Sequence, residues 1–261
     1  MSNRNSKASK EAARIRLREQ REKEAKRAKV RRQLLVGGGV VALIVVAGGV
    51  AVAVSQMNKS SSSEWDAAKG KTLVQPANSD GTTIVVGDKN NKNNLDLYED
   101  LRCPACAQFE QTEGADVLKG AKDGKYKITY HFGTFLDGNL GGTGSKNALA
   151  AVGAAVNVSL DAFEQYHTLL YSTAHHPAED GPDVFAKDAN MIKLAQGVPA
   201  LKNNAAFNKA VNAGTYDKWA MNSSDAFDAA KITSTPTAKL NGVAFKDTTG
   251  IMAQIEAKLI K

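Results

Sequence analysis

The chain has 261 residues, 43% of them hydrophobic, and a formal charge of +7. Residues 1–33 hold thirteen Lys/Arg against four Glu, whereas the other 228 residues hold 21 Lys/Arg against 23 Asp/Glu. The basicity therefore belongs to a tail, which speaks against a nucleic-acid partner for the bulk of the chain.

Residues 1–33 read as a basic cytoplasmic tail, in which 5–33, rich in Ala, Glu, Arg and Lys, reads as a solvated or fluctuating helix near a membrane face. Leu34 to Val54 then run for 21 residues without a charge, enough to cross a bilayer as a helix. Ala51-Val52-Ala53 resembles a signal-peptide cleavage site, but the apolar run and the charged stretch before it are both long for one. The expectation is an uncleaved anchor. Lys29, Arg31 and Arg32 hold the N-terminus in the cytoplasm, which places everything after Ser55 outside. Residues 55–64 form a flexible polar linker, and residues 65–261 are expected to fold as one domain. Trp65 and Leu73 are expected to pack an N-terminal extension onto it.

In the domain, Thr82–Gly87 is β-rich, and Asn94–Asp100 alternates Leu95 and Leu97 with Asp96 as a strand does. A helix is predicted from the cysteines toward Lys119, with Gly114 a weak point and Gly120 its stop. Lys125–Gly133 reads as a third strand. About 145–230 is predicted helical, with Ser159 a cap candidate and Phe163, His167 and Leu170 at helical spacing. Thr235–Phe245 reads as a hairpin turning at Asn241-Gly242. Ile251, Ile255 and Leu259 stripe a last helix. Strand, helix, strand, helical segment, hairpin, helix is an α/β sandwich with a helical insertion.

The chain has two cysteines, both in Cys103-Pro104-Ala105-Cys106. At this spacing on a first helical turn they face one side, within disulfide reach. The helix start stabilises a Cys103 thiolate, Arg102 adds a positive charge, and Pro104 suits the first helical position. A structural staple would close too small a loop to remove much chain entropy. A zinc site needs four ligands, and there is no second pair; His131, His167, His175 and His176 lack finger-like spacing and read as ordinary surface or helix residues. No metal is expected.

The segment LDLYEDLRCPACAQFE resembles the active-site segment of the DsbA-like, thioredoxin-fold disulfide oxidoreductases, in particular the membrane-anchored bacterial type. The likeness rests on the strand, on Asp100 three residues before Cys103, and on C-P-x-C opening a helix. SKNALAAVGAAV is similar to the family's Ser/Ala-rich helix, and ITSTPTAKLNG to its T-P-T and N-G segment. The resemblance implies a thioredoxin fold with an inserted helical subdomain, preceded here by a single transmembrane helix. It implies Cys103 as the sulfur that meets substrate and Cys106 as the resolving thiol. It also implies a cis Thr235–Pro236 bond, a substrate groove formed by Thr235 and Pro236, and no cofactor beyond the redox-active disulfide. Asp100, Arg102, Pro104 and Ala105 are expected to tune the redox centre. Two departures stand out. The family's buried acid six residues before the first cysteine, which helps move protons for the second thiol, is Leu97 here, with the adjacent Asp96 on the other strand face, so proton removal from Cys106 is expected to be slow; and Pro-Ala lacks the histidine of the strongest oxidases. The expected activity is oxidation of secreted or surface protein thiols, with a membrane redox partner that re-oxidises the enzyme. The rivals are a reductase or isomerase, a non-catalytic binding protein of the same fold, and a membrane-surface regulator acting through the basic tail.

Overall fold

The computed structural model describes residues 62–260. The basic tail, the apolar run 34–54 and most of the linker lie outside the described residues, as do the expectations placed on them. Among the described residues no helix is long and apolar enough to cross a membrane.

Helix α1 (Ser62–Lys69) leads into β1 (Ile84–Val86) and β2 (Asn94–Asp100). The cysteine helix follows in three pieces: α2 (Pro104–Phe109), a π-helical turn (Glu110–Gly114) and α3 (Ala115–Lys122). Next is β3 (Lys127–Gly133). The insertion comprises α4 (Phe135–Leu140), α5 (Gly144–Val158), α6 (Leu160–Tyr171), a 3-10 turn (Val184–Ala186), α7 (Asp188–Ala195), α8 (Ala205–Asn212) and α9 (Asp217–Ala229). The chain closes with β4 (Thr237–Leu240), β5 (Val243–Ala244) and α10 (Ile251–Glu256).

The sheet order is β1-β3-β2-β4-β5. β2 lies at its centre, parallel to β3 and antiparallel to β4. Along β2 the alternation holds as predicted: Leu95 and Leu97 are buried and Asp96 faces the other side. At its end Tyr98, Glu99 and Asp100 are all buried, because the strand runs in beneath the insertion. Helix α5 is the axis of that insertion and packs against α6, α7, α8 and α9. Its alanines are apolar on nearly every side, the mark of a helix enclosed by others. Gly153 lets Trp219 and Tyr216 approach its backbone.

Local signals set several boundaries. Ser159 Oγ accepts from the Ala162 amide at 3.0 Å, capping α6 as expected. Asn241 and Gly242 both take positive φ, 52° and 82°, as a two-residue hairpin turn requires. Ile251 and Ile255 are buried, and Leu259 packs on the core beyond the helix end. Trp65 packs against the core, but Leu73 is exposed and does not.

Gly120 is not the predicted stop. The helix continues to Lys122 and turns at Gly124, whose φ is 77°. Gly120 is needed for a close approach: a Cβ there would meet the phenol of Tyr126, which is fully buried and donates to the Val117 carbonyl at 2.7 Å. Overpacking of this kind costs about 1–3 kcal/mol. Gly120→Ala is expected to lower the denaturation midpoint accordingly, and adding Tyr126→Phe, which shortens the intruding side chain, to recover part of the loss.

Candidate active site

Cys103 is the N-cap of α2 and Pro104 its first residue. The Cys106 amide donates to Cys103 Sγ at 3.4 Å, so the sulfur itself caps the helix. Thr235, 132 residues away, donates from Oγ1 to the same sulfur at 3.3 Å. The Thr235 carbonyl lies at 3.7 Å, placed to accept from Cys103 as a thiol. These donors favour the thiolate. The Cys106 thiol contributes most and the Thr235 hydroxyl and the Cys106 and Ala105 amides add to it, which lowers the Cys103 pKa from 9.0 to about 6 against the opposing effect of burial. Cys106 moves the other way. It has no exposure, and burial, its bond to Cys103 and the charges of Cys103 and Glu99 hold it well above 9.0. One sulfur is a stable thiolate at the surface of the site and the other a buried thiol.

The Thr235–Pro236 bond is cis. Pro236 and the exposed Ala105 line a groove of about 450 Å³ together with Gln108, Phe109, Thr112 and Thr248. The last four escaped the sequence reading, since only the fold brings α2 beside the loop before α10.

Arg102 is placed differently from expectation. Its buried guanidinium pairs with Asp137 at 3.0 Å and Asp183 at 3.5 Å and donates to the Gly141 carbonyl at 2.9 Å. It is engaged by two carboxylates and is absent from the groups that lower the Cys103 pKa. Asp137 also accepts from the Ser145 and Lys146 amides, and Asp183 from those of Thr143 and Gly144, so both carboxylates satisfy the start of α5. Arg102 thereby ties the residue before Cys103 to the insertion. Asp100 is fully buried. It accepts from the Arg102 amide at 2.9 Å, Ser145 Oγ at 2.7 Å and the Leu136 amide at 3.1 Å. Burial still raises its pKa to about 7. It braces the turn into α2.

A buried acid does lie on the same face of β2, two residues past Leu97. Glu99 is fully buried and, where ionised, opposes a Cys106 thiolate. His167 Nε2 lies 2.9 Å from Glu99 Oε2, and His167 Nδ1 faces Glu110 Oε2 at 3.8 Å. This histidine is therefore no ordinary surface or helix residue. Burial holds both carboxyls in the protonated range, Glu99 well above its usual value and Glu110 at about 8, and lowers the pKa of His167. The ligand atoms of the three residues lie within 4.8 Å of one another. The imidazole turns a different nitrogen to each carboxyl, within hydrogen-bond distance of Glu99 and at longer range to Glu110. The sequence held a sign of it: Leu95, Leu97 and Glu99 share one strand face, and an acid on an apolar face needs a partner.

Folding of the reduced protein lowers the Cys103 pKa from 9.0 to about 6. The stabilisation this implies is complete above pH 9 and is lost as the pH falls through about 6. The disulfide form has no thiol to titrate, and carboxyls that titrate in both forms largely cancel. The stability of the reduced over the oxidised protein is therefore expected to grow from pH 6 to pH 9; a difference that stays flat in paired denaturation curves would contradict it. Arg102→Ala removes the guanidinium from the buried Asp137 and the half-buried Asp183, a loss below the ~3–5 kcal/mol of breaking a fully buried pair, because Lys146 Nζ stays 3.6 Å from Asp137. In that variant the Cys103 pKa, read from thiolate absorbance, is expected to stay near the wild-type value.

Residues 79–257 match the family model described as thioredoxin. No curated protein matches the chain in sequence. Reduced DsbA of Mycobacterium tuberculosis is similar in structure, with 26% identity and a TM-score of 0.58 over 68% of this chain and 92% of that one. The reduced disulfide bond oxidoreductase DsbG of the same organism is 26% identical, with a TM-score of 0.57 over 68% of this chain and 86% of that one. MdbA, a thiol-disulfide oxidoreductase from Actinomyces oris, is 19% identical and shares the fold, with a TM-score of 0.58 over 74% of this chain and 94% of that one. The family match takes in the sheet, the cysteine helix and the helical insertion alike, and the chain therefore belongs to the thioredoxin family, among its DsbA-like thiol–disulfide oxidoreductases.

Proposed function

We propose that this chain is a membrane-anchored, extracytoplasmic enzyme that oxidises the thiols of secreted or surface proteins. One observation carries the direction: the Cys103 pKa, lowered to about 6. A stabilised thiolate favours the reduced enzyme over its disulfide, and a disulfide that gains stability on reduction is an oxidant. The site of action rests on the apolar run 34–54 behind its basic tail. Outside the membrane, installing disulfides is the useful task.

The chemistry follows from the two sulfurs. A substrate thiolate attacks Cys103 Sγ, the sulfur of the pair that retains some exposure. A bond forms between the substrate sulfur and Cys103. The Cys103–Cys106 bond breaks, and Cys106 leaves with the electron pair and takes up a proton. A second substrate thiolate attacks the substrate sulfur of the mixed disulfide and releases Cys103 as a thiolate. Thr235 Oγ1 and the Cys106 amide are already placed to receive that charge. Two electrons have passed to the enzyme, and a membrane redox partner removes them. The Cys103–Cys106 disulfide is the redox group. The groove beside Ala105 and Pro236 takes the substrate chain.

The test is equilibration of the isolated domain with glutathione, with Cys106→Ser used to trap mixed disulfides on the outer face. The expected potential is less negative than that of thioredoxin, about −270 mV, with client proteins trapped. A potential more negative than that makes the enzyme a reductase, and a domain inert toward glutathione ends the reading.

A further inference from the structure

The groove beside the redox pair has a directional lining. Ala105, Gln108, Phe109, Thr112 and Glu113 all border it. They stand at i, i+3, i+4, i+7 and i+8, which is one face of a continuous helix, so α2 and the π-helical turn present a single wall. The opposite wall is Pro236 and the loop residues Thr248 and Thr249. Ala105, Phe109 and Pro236 make the end by the cysteines largely apolar. Thr112, Glu113, Thr248 and Thr249 make the far end polar, and Glu113 is the one charged residue among those that line the groove.

Glu113 is half-buried, and its Oε1 accepts from the Gly250 amide at 3.0 Å, which ties the helix wall to the loop wall. No Lys or Arg pairs with it among the described residues. A substrate chain laid along the groove takes water away from this carboxylate. A cation carried by the substrate offsets that cost, and an anion adds to it. The surroundings do not cancel the charge. Asp116, one turn further along the helix, and Asp247, beside Thr248, are exposed acids, and Lys246 is the exposed base next to them in the loop. The Thr249 amide and hydroxyl and the Thr248 amide hold Asp247 below the usual carboxylate range. Glu110 lies in the same turn as Glu113, but burial raises its pKa to about 8 and keeps it uncharged at neutral pH.

The spacing gives the charge a register on the substrate. From Cys103 to Glu113 the helix wall rises about 15 Å, at roughly 1.5 Å per residue. An extended chain advances roughly 3.3 Å per residue and covers that length in about four to five residues. Side chains alternate along such a chain, so the second and fourth residues from its cysteine point to the same side as the cysteine, and the third and fifth point away. We propose that Glu113 makes the groove selective for substrate segments that carry Lys or Arg at the fourth residue from the cysteine that attacks Cys103. The second residue meets the stretch around Phe109, which suits an apolar side chain. The inference rests on the proposed oxidoreductase reading and names the substrate class of that same groove. Glu113 is a specificity residue: it meets the substrate chain and touches neither sulfur.

The test uses the full chain in its oxidised form and synthetic peptides with a single cysteine in an otherwise uncharged sequence. Each peptide carries Lys or Glu at the third or the fourth position, on one side of the cysteine or the other. Rates of enzyme reduction are expressed per peptide thiolate and read as the ratio of each Lys peptide to its Glu partner. At the fourth position, on the side that enters the groove, the Lys peptide is expected to be faster by about fivefold, the upper worth of a partly exposed ion pair. High salt is expected to shrink that ratio. At the third position the ratio is expected to stay close to unity. Glu113→Gln keeps an oxygen for the Gly250 amide and removes the charge; it is expected to bring the fourth-position ratio close to unity, and Glu113→Lys to invert it. A wild-type ratio close to unity at the fourth position overturns the proposal. So does a preference equal at the third and fourth positions, or one that survives Glu113→Gln, since either marks the diffuse field of the whole enzyme. If Glu113→Gln does not fold, the comparison of the third and fourth positions in the wild-type enzyme decides alone. A wild-type enzyme that none of the peptides reduces instead defeats the oxidoreductase reading on which the selectivity rests.

Discussion

The antiparallel ladder between β2 and β4 is the constraint on which the site depends. Leu95 pairs with Leu240, Leu97 with Ala238 and Tyr98 with Thr237. That register brings Thr235, just before β4, against the sulfur that follows β2. A slip of one residue would turn Leu97 and Ala238 away from the core and carry Thr235 out of reach of Cys103. The apolar face of the central strand therefore sets the electrostatics of the thiolate, though none of its side chains touches the sulfur.

Two polar groups meet beneath the cysteines and differ in kind. On one side Arg102 faces Asp137 and Asp183, whose oxygens also accept four backbone amides at the start of α5. A buried charge cluster with partners on most of its atoms is rigid, and it joins the cysteine turn to the insertion. On the other side Glu99, Glu110 and His167 have no Lys or Arg partner among the described contacts and keep unpaired oxygens. Such carboxyls stay neutral by holding protons. The first cluster carries fixed charge and holds position; the second is held neutral by burial and borders a cavity of about 460 Å³. The fold thus places a charged cluster and a neutral one on either side of one short helix.

The elements written in local pattern were legible. Asn94–Asp100 formed the strand its alternation implied, Ser159 capped α6, and Asn241-Gly242 made the turn. Each of these depends on residues a few positions apart. The cysteine pair was legible for the same reason, since its spacing and Pro104 already describe a helix start. Gly120 was misread because its role is to admit Tyr126. The partners of Arg102, Asp137 and Asp183, were not legible, because they lie 35 and 81 residues further on.

By itself, the sequence determined the close cysteine pair at a helix start, the cis-proline segment that resembles the family's, the α/β order with a helical insertion, and the charge asymmetry of the tail. These are matters of spacing, period and composition, which a chain carries before it folds. Only the tertiary structure decided which groups touch the sulfurs. Thr235 reached Cys103 across 132 residues, and His167 reached Glu99 across 68. A buried acid stands on this strand face at Glu99 and not at Leu97, because burial reaches to the end of β2 and the insertion supplies a histidine to meet it. Proton affinity in a protein interior is a property of that meeting: the same glutamate in water would be an ordinary carboxylate.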